Sequence, residues 1–135
     1  MIDIAIARRL RDAGLRWTPS DGDWFVIDNE QLREEAFMLS SMVIETARGR
    51  SGEAVFRFNG TTEWALDSVE QHEALWVPRE DQLRGALGDA FIALRRADDG
   101  TFVVTVRVAS GESRRVPAPH AEDALAGALL IRLTS

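Results

Sequence analysis

Apolar residues recur along this chain in two rhythms, and the change of rhythm predicts where helices give way to strands. From Asp3 to about Ala13, Ile2, Ile6, Leu10 and Ala13 fall three to four residues apart and Gly14 supplies a stop, which predicts an amphipathic helix lying as a lid on a sheet. After the Trp17-Thr18-Pro19 entry and the Ser20-Asp21-Gly22 turn signal, Trp24-Phe25-Val26-Ile27 reads as a short strand of bulky residues. A polar stretch from Asp28 to Glu35 follows. Phe37-Met38-Leu39 and Met42-Val43-Ile44 then flank Ser40-Ser41, and Gly49-Arg50-Ser51-Gly52 separates them from Ala54-Val55-Phe56-Arg57-Phe58, where Ala54, Phe56 and Phe58 share a face. The period-two spacing predicts a meander of antiparallel strands.

The helical rhythm returns at Pro78, whose fixed φ suits a helix start. Glu80 and Asp81 follow in the first turn, and Leu83, Ala86 and Leu87 form a stripe before Gly88, so a second helix is expected over Pro78 to Leu87. Phe91 to Arg96 and Thr101 to Val108 flank Asp98-Asp99-Gly100, a hairpin signal, with Phe102, Val104, Val106 and Val108 on one face. A further strand is expected from Glu112 to Val116, ended by Pro117-Ala118-Pro119. Ala121, Ala124, Leu125, Ala128, Leu129 and Leu133 then mark a C-terminal helix whose small residues permit close approach to a sheet. The fold class is α+β: one domain over residues 1–135, with a single mostly antiparallel sheet and three helices.

Length agrees with one domain, since 135 residues can bury a core without staples. The absence of Cys removes disulfides and thiolate metal sites. The N-terminus lacks the order of a secretory signal, and no apolar run approaches the roughly 20 residues that span a bilayer, so a soluble cytoplasmic protein is expected. All sixteen basic residues are Arg, which removes Schiff-base and P-loop chemistry because both need the Lys amine. Residues 1–18 carry four Arg against two acids, residues 19–58 four against eight, and residues 59–90 two against seven. An acidic middle repels a phosphate backbone, so nucleic acid is an unfavourable partner unless folding gathers Arg onto one face.

The densest chemistry lies over residues 58–84, which hold two of the four Trp, one of the two His and six carboxylates. His72 and His120 with Glu70, Glu73 or Glu122 lack any metal-ligand spacing, and no metal or cofactor is expected. Glu63, Asp67, Glu70 and Glu73 stand near Trp64 and Trp76, and a carboxyl against an indole can become a general acid. Acids at this density more often form a solvated face, and Asp67-Ser68-Val69-Glu70 reads as a capping box opening a helical turn. The Asp21-Gly22-Asp23 and Asp28-Asn29-Glu30 acids do not follow calcium-loop spacing. Trp64 and Trp76 suit either a core, each indole N–H finding a carbonyl, or an exposed platform.

The run Phe58–Gln71 (Phe-Asn-Gly-Thr-Thr-Glu-Trp-Ala-Leu-Asp-Ser-Val-Glu-Gln) with Leu75-Trp76-Val77-Pro78-Arg79-Glu80-Asp81-Gln82-Leu83 resembles a family of small actinobacterial proteins of unknown function, often catalogued as pilus assembly proteins. The Asp99-Gly100 hairpin and the Ala-rich last helix extend the likeness from about Trp17 onward. The Trp-x-Pro-Arg-x-Asp-Gln-Leu portion is also similar to small prophage proteins of Gram-positive bacteria. The resemblance carries over no catalytic residue.

The expected function is a non-enzymatic protein-interaction module. Its predicted binding residues are Trp76, Arg79, Glu80 and Gln82, with Trp64 and Glu63, and its partner an unidentified protein; a homo-oligomer is compatible with the pattern. One alternative is a small hydrolase or ligand-binding domain using Glu63, Asp67 or His72 in a pocket. Another is an accessory protein of a phage or mobile element that acts on a host protein.

Overall fold

The computed structural model describes residues 1–28, 35–39 and 74–135 in full, and the backbone of 44–48, 54–58 and 68–70. Within them the chain runs α1 (Ile4–Asp12), β1 (Trp24–Ile27), β2 (Ala36–Met38), β3 (Ile44–Arg48), β4 (Ala54–Phe58), β5 (Ser68–Glu70), β6 (Ala74–Val77), α2 (Glu80–Leu87), β7 (Phe91–Arg96), β8 (Phe102–Arg107), β9 (Ser113–Ala118) and α3 (Ala121–Thr134). A short 3-10 turn, Gly88–Ala90, links α2 to β7. The α+β class and the three helices agree with the sequence pattern; the single meander does not. The strands form three separate antiparallel sheets, ordered β2-β1-β6, β3-β4-β5 and β7-β8-β9. The chain divides into two compact units, the second (Trp17–Val77) inserted between the two parts of the first (Met1–Arg16 and Pro78–Ser135).

The first unit is built around α3. Ala124, Leu125, Ala126, Ala128 and Leu129 are buried around its circumference, as expected of a helix enclosed on several sides. It packs on β8, β9, α1 and α2. A Cβ added at Gly127 would stand 3.1 Å from Val116 Cγ1 of β9, so the missing side chain sets how closely helix and sheet approach. The predicted face of β8 holds, with Val104, Val106 and the following Val108 buried. On β7 a bulge at Ile92 shifts the register, so that Phe91 pairs with Val106 and Leu94 with Val104. Strict alternation would have turned Leu94 outward; the extra residue returns it to the α3 face.

Asp3 caps α1 by accepting a hydrogen bond from the Ala5 N–H at 2.8 Å. The helix ends in a Schellman motif, in which the Gly14 and Leu15 N–H groups donate to the Arg11 and Leu10 carbonyls, at the cost of a Gly14 φ of 107° that only glycine adopts freely. Ile2, Ala7 and Leu10 are buried while Ile6 and Ala13 are only partly covered. The expected lid on a sheet is corrected: α1 packs on α3, and the Met1 amine donates to Glu122 in the first turn of α3. On α2, Leu83 and Leu87 are buried but Ala86 is exposed.

Two expectations about proline are also corrected. The second helix begins at Glu80, because Arg79 keeps an extended ψ of 167° and serves as its cap. The last strand continues through Pro117, which pairs with Val103. β9 is an edge strand, and an edge leaves alternate N–H positions facing away from the ladder, where a proline loses nothing.

In the second unit, β1 pairs with β2 and with the distant β6, setting Phe25 opposite Trp76 and Ile27 opposite Ala74. Phe25, Ile27, Leu39 and Ala74 form a buried cluster with Trp17 and Phe37 packed against it. Both faces of β1 and β6 are covered, since Val26, Leu75 and Val77 are at most 1 % exposed. β3, β4 and β5 form a local meander, and β4 covers the predicted Ala54–Phe58. Ser68, Val69 and Glu70 lie in that meander, opposite Arg57, Phe56 and Val55. The expected helical turn there gives way to a ladder that satisfies the backbone cooperatively. The expected strand residues Met42 and Val43 and the Ser40-Ser41 and Gly49–Gly52 breaks lie outside the described residues.

Candidate functional site

Four of the six predicted binding residues are described, and they divide between the two units. Trp76 belongs to the aromatic cluster of the second. Its ring lies half-buried and parallel to Trp17, with centroids 6.3 Å apart and planes 7° from parallel. Trp17 also meets Phe25 at 5.8 Å, and Phe25 meets Phe37 at 5.7 Å, separations at which aromatic pairs add to simple burial. The two indole N–H groups differ in their partners. Trp17 Nε1 donates at 2.8 Å to Oδ2 of Asp23, which is 1 % exposed and also accepts from the Ser20 N–H at 3.0 Å. Trp76 Nε1 is buried with no partner among the described residues, so the expected carbonyl is not found there. The sequence reading of Asp21–Asp23 as turn chemistry holds, and the buried Asp23 is what anchors Trp17.

Arg79, Glu80 and Gln82 belong to the first unit, at the start of α2. The Gln82 side chain accepts a hydrogen bond from the Arg79 backbone N–H at 3.0 Å, half of a capping box. Arg has no acceptor with which to return the other half. Instead the Arg79 guanidinium turns onto Asp81, with Nε to Oδ1 at 3.1 Å and Nη2 to Oδ2 at 3.5 Å. That hydrogen bond holds the Asp81 carboxyl below its ordinary value of 3.8. Glu80 and Asp81 are exposed, while Arg79 and Gln82 are partly covered. These side chains therefore form an ordered polar corner around one helix end.

Glu63, Trp64, Asp67, His72 and Glu73 lie outside the described residues, as does the proposed carboxylate and His pocket. Glu70 lies in β5. His120 is exposed and serves as the N-cap residue of α3 without a side-chain bond. Among the described residues no three His, Asp or Glu side chains gather as a metal centre would, and no helix is long and apolar enough to cross a membrane.

The structure also groups residues that the charge tally passed over. Register places Arg95, Arg107 and Arg115 on the face of the β7-β8-β9 sheet opposite Val104 and Val106, and all three are exposed. The signal was present in the sequence, as Arg at strand positions with acids only in the turns, but the Ile92 bulge conceals which face Arg95 takes. Comparison of the chain with protein-family models, with curated proteins and with solved structures finds no match.

Proposed function

We propose that this chain is a protein-interaction module without catalytic activity, and that it docks its partner through the first turn of α2. The observation that carries this reading is the Arg79–Asp81 fork beside the exposed Glu80. Side chains already fixed in the free protein do not have to be ordered on binding, a saving of about 0.5–1.5 kcal/mol for each.

The test is affinity capture from the native host with wild type and an Arg79→Ala, Glu80→Ala variant, alongside an exposed Asp12→Ala control. The expected result is a protein retained by wild type and control and lost by the double variant. Equal retention by all three, or turnover of a substrate by the purified chain, would overturn the reading.

A further inference from the structure

The sheet β7-β8-β9 carries five arginines in its strands: Arg95 and Arg96 on β7, Arg107 on β8, and Arg114 and Arg115 on β9. The strands hold no acid; Asp98, Asp99 and Glu112 stand in the connecting turns. The whole chain has a net charge of −6. Removing the +5 of these strands leaves −11 for the remaining residues, so the sheet is a basic island in an acidic protein. No carboxylate pairs with any of the five among the described residues; Arg107 Nη1 instead reaches the Gly111 carbonyl at 3.5 Å.

The exposed sheet face is formed by Ala93, Arg95, Val103, Thr105, Arg107, Ser113, Arg115 and Pro117, in the register Ala93–Thr105–Arg115 and Arg95–Val103–Pro117. Charges on edge strands guard against edge pairing, and that accounts for charge on β7 and β9. It does not account for Arg107 on the central strand, nor for a single sign. Opposite charges across a ladder stabilise it by roughly 0.2–1 kcal/mol per pair, and this sheet forgoes every such pair.

We infer that this face is a docking surface for an acidic segment of another protein. A guanidinium fork meets a carboxylate through two parallel hydrogen bonds, and the small side chains of Ala93, Thr105 and Ser113 stand between the arginines, leaving room for an extended chain to lie across the face. The strands are six residues each, about 20 Å long, so a segment of similar length satisfies the arginines without leaving the face. A nucleic acid fits less well. The two aromatic residues of the sheet, Phe91 and Phe102, lie on the α3 face, which leaves no platform for base stacking. This surface is separate from the start of α2, and neither reading depends on the other.

The experiment measures anisotropy of a fluorescein-labelled octaglutamate peptide against the full chain at low salt, with an Arg95→Gln, Arg115→Gln variant and an Arg9→Gln, Arg16→Gln control of equal charge change. Backbone NMR shifts locate the contact. Wild type and control bind with shifts confined to β7, β8 and β9, and the sheet variant binds at least about tenfold more weakly. Equal loss in the control, or no peptide binding by wild type, overturns the inference. Tighter binding of an oligothymidine of about 20 nucleotides, abolished by the sheet variant, would assign the face to nucleic acid. Salt-sensitive self-association abolished by the same variant would assign it to a second copy of the chain.

Discussion

The two units bury different kinds of side chain, and the difference decides what each can tolerate. Around α3 the first unit packs alanine, leucine and valine, with Gly127 drawing helix and sheet together. Such a core has no polar atoms to satisfy, so its stability rests on volume and fit. The described core of the second unit is aromatic, built on Trp17, Phe25, Phe37 and Trp76. Each indole there brings a polar group inside, and Asp23 is buried to receive one of them. All four Trp fall within the residue range of the second unit, and among the described residues the three α-helices lie in the first, so tryptophan fluorescence and helical circular dichroism report chiefly on different units.

The largest effects come from emptying each core. Phe25→Ala is expected to cost about 3–5 kcal/mol and Leu125→Ala about 2–5 kcal/mol, both positions being fully buried. Denaturant unfolding followed by both signals should show Phe25→Ala moving the fluorescence transition further and Leu125→Ala the helical one. Equal movement of both transitions in both variants would dissolve the comparison.

Overfilling comes next. Gly127→Leu must displace Val116 or α3 and is expected to cost about 1–3 kcal/mol despite the better helix propensity of leucine; a midpoint at or above wild type would show that the helix and sheet are free to separate. A smaller and more pointed test compares two identical changes in the second unit. Trp17→Phe removes the donor to the buried Asp23 carboxylate and should cost about 1–3 kcal/mol beyond its lost area, whereas Trp76→Phe removes a buried donor that lacks a partner among the described residues and should cost less. The reverse order in chemical denaturation would mean that the Asp23 bond contributes little.

The smallest effect is electrostatic and lies in the first unit. Asp99 Oδ1 accepts from the Thr101 hydroxyl at 2.7 Å and from its N–H at 2.9 Å; these bonds, the hydroxyl first, lower the carboxyl below 3.8. A carboxyl lowered by folding adds stability above its unfolded value, and the contribution is lost as pH falls through the folded one. Asp81 follows the same sign through Arg79. Thr101→Val should raise the Asp99 midpoint toward the ordinary value in an NMR titration and leave Asp81 unmoved. An unchanged Asp99 midpoint would remove the hydroxyl as the cause.

Local patterns were legible where one element decides its own fate. The α1 stop at Gly14, the β8 face through Val104 and Val106, the Asp98-Asp99-Gly100 turn and the small residues of α3 all follow from spacing and turn chemistry. Pairing between distant segments was not legible. Nothing in Trp24–Ile27 names Ala74–Val77 as its neighbour, and without that pairing the strands read as one continuous meander. Pro117 misled because its effect depends on whether its strand lies at an edge. At the candidate site, the exposed acids of α2 were visible from helical phase. The turn of Arg79 onto Asp81 was not, because it follows from which groups a capping arginine lacks. Of the exposed arginines of the sheet, Arg95 was hidden by the bulge at Ile92, since a single extra residue reverses every later side chain of its own strand, whereas Arg107 follows from the plain alternation of β8.

The insertion of the second unit has a consequence in time. α1 ends at Asp12, yet the helix it packs on begins at Ala121. At ordinary ribosomal rates the intervening residues take about 5–20 s to synthesise. Throughout that interval Ile2, Ala7 and Leu10 have been made and their partner has not. Among the described helices α1 is thus made well before the one it packs on, and its apolar face is open to capture by a chaperone in the meantime.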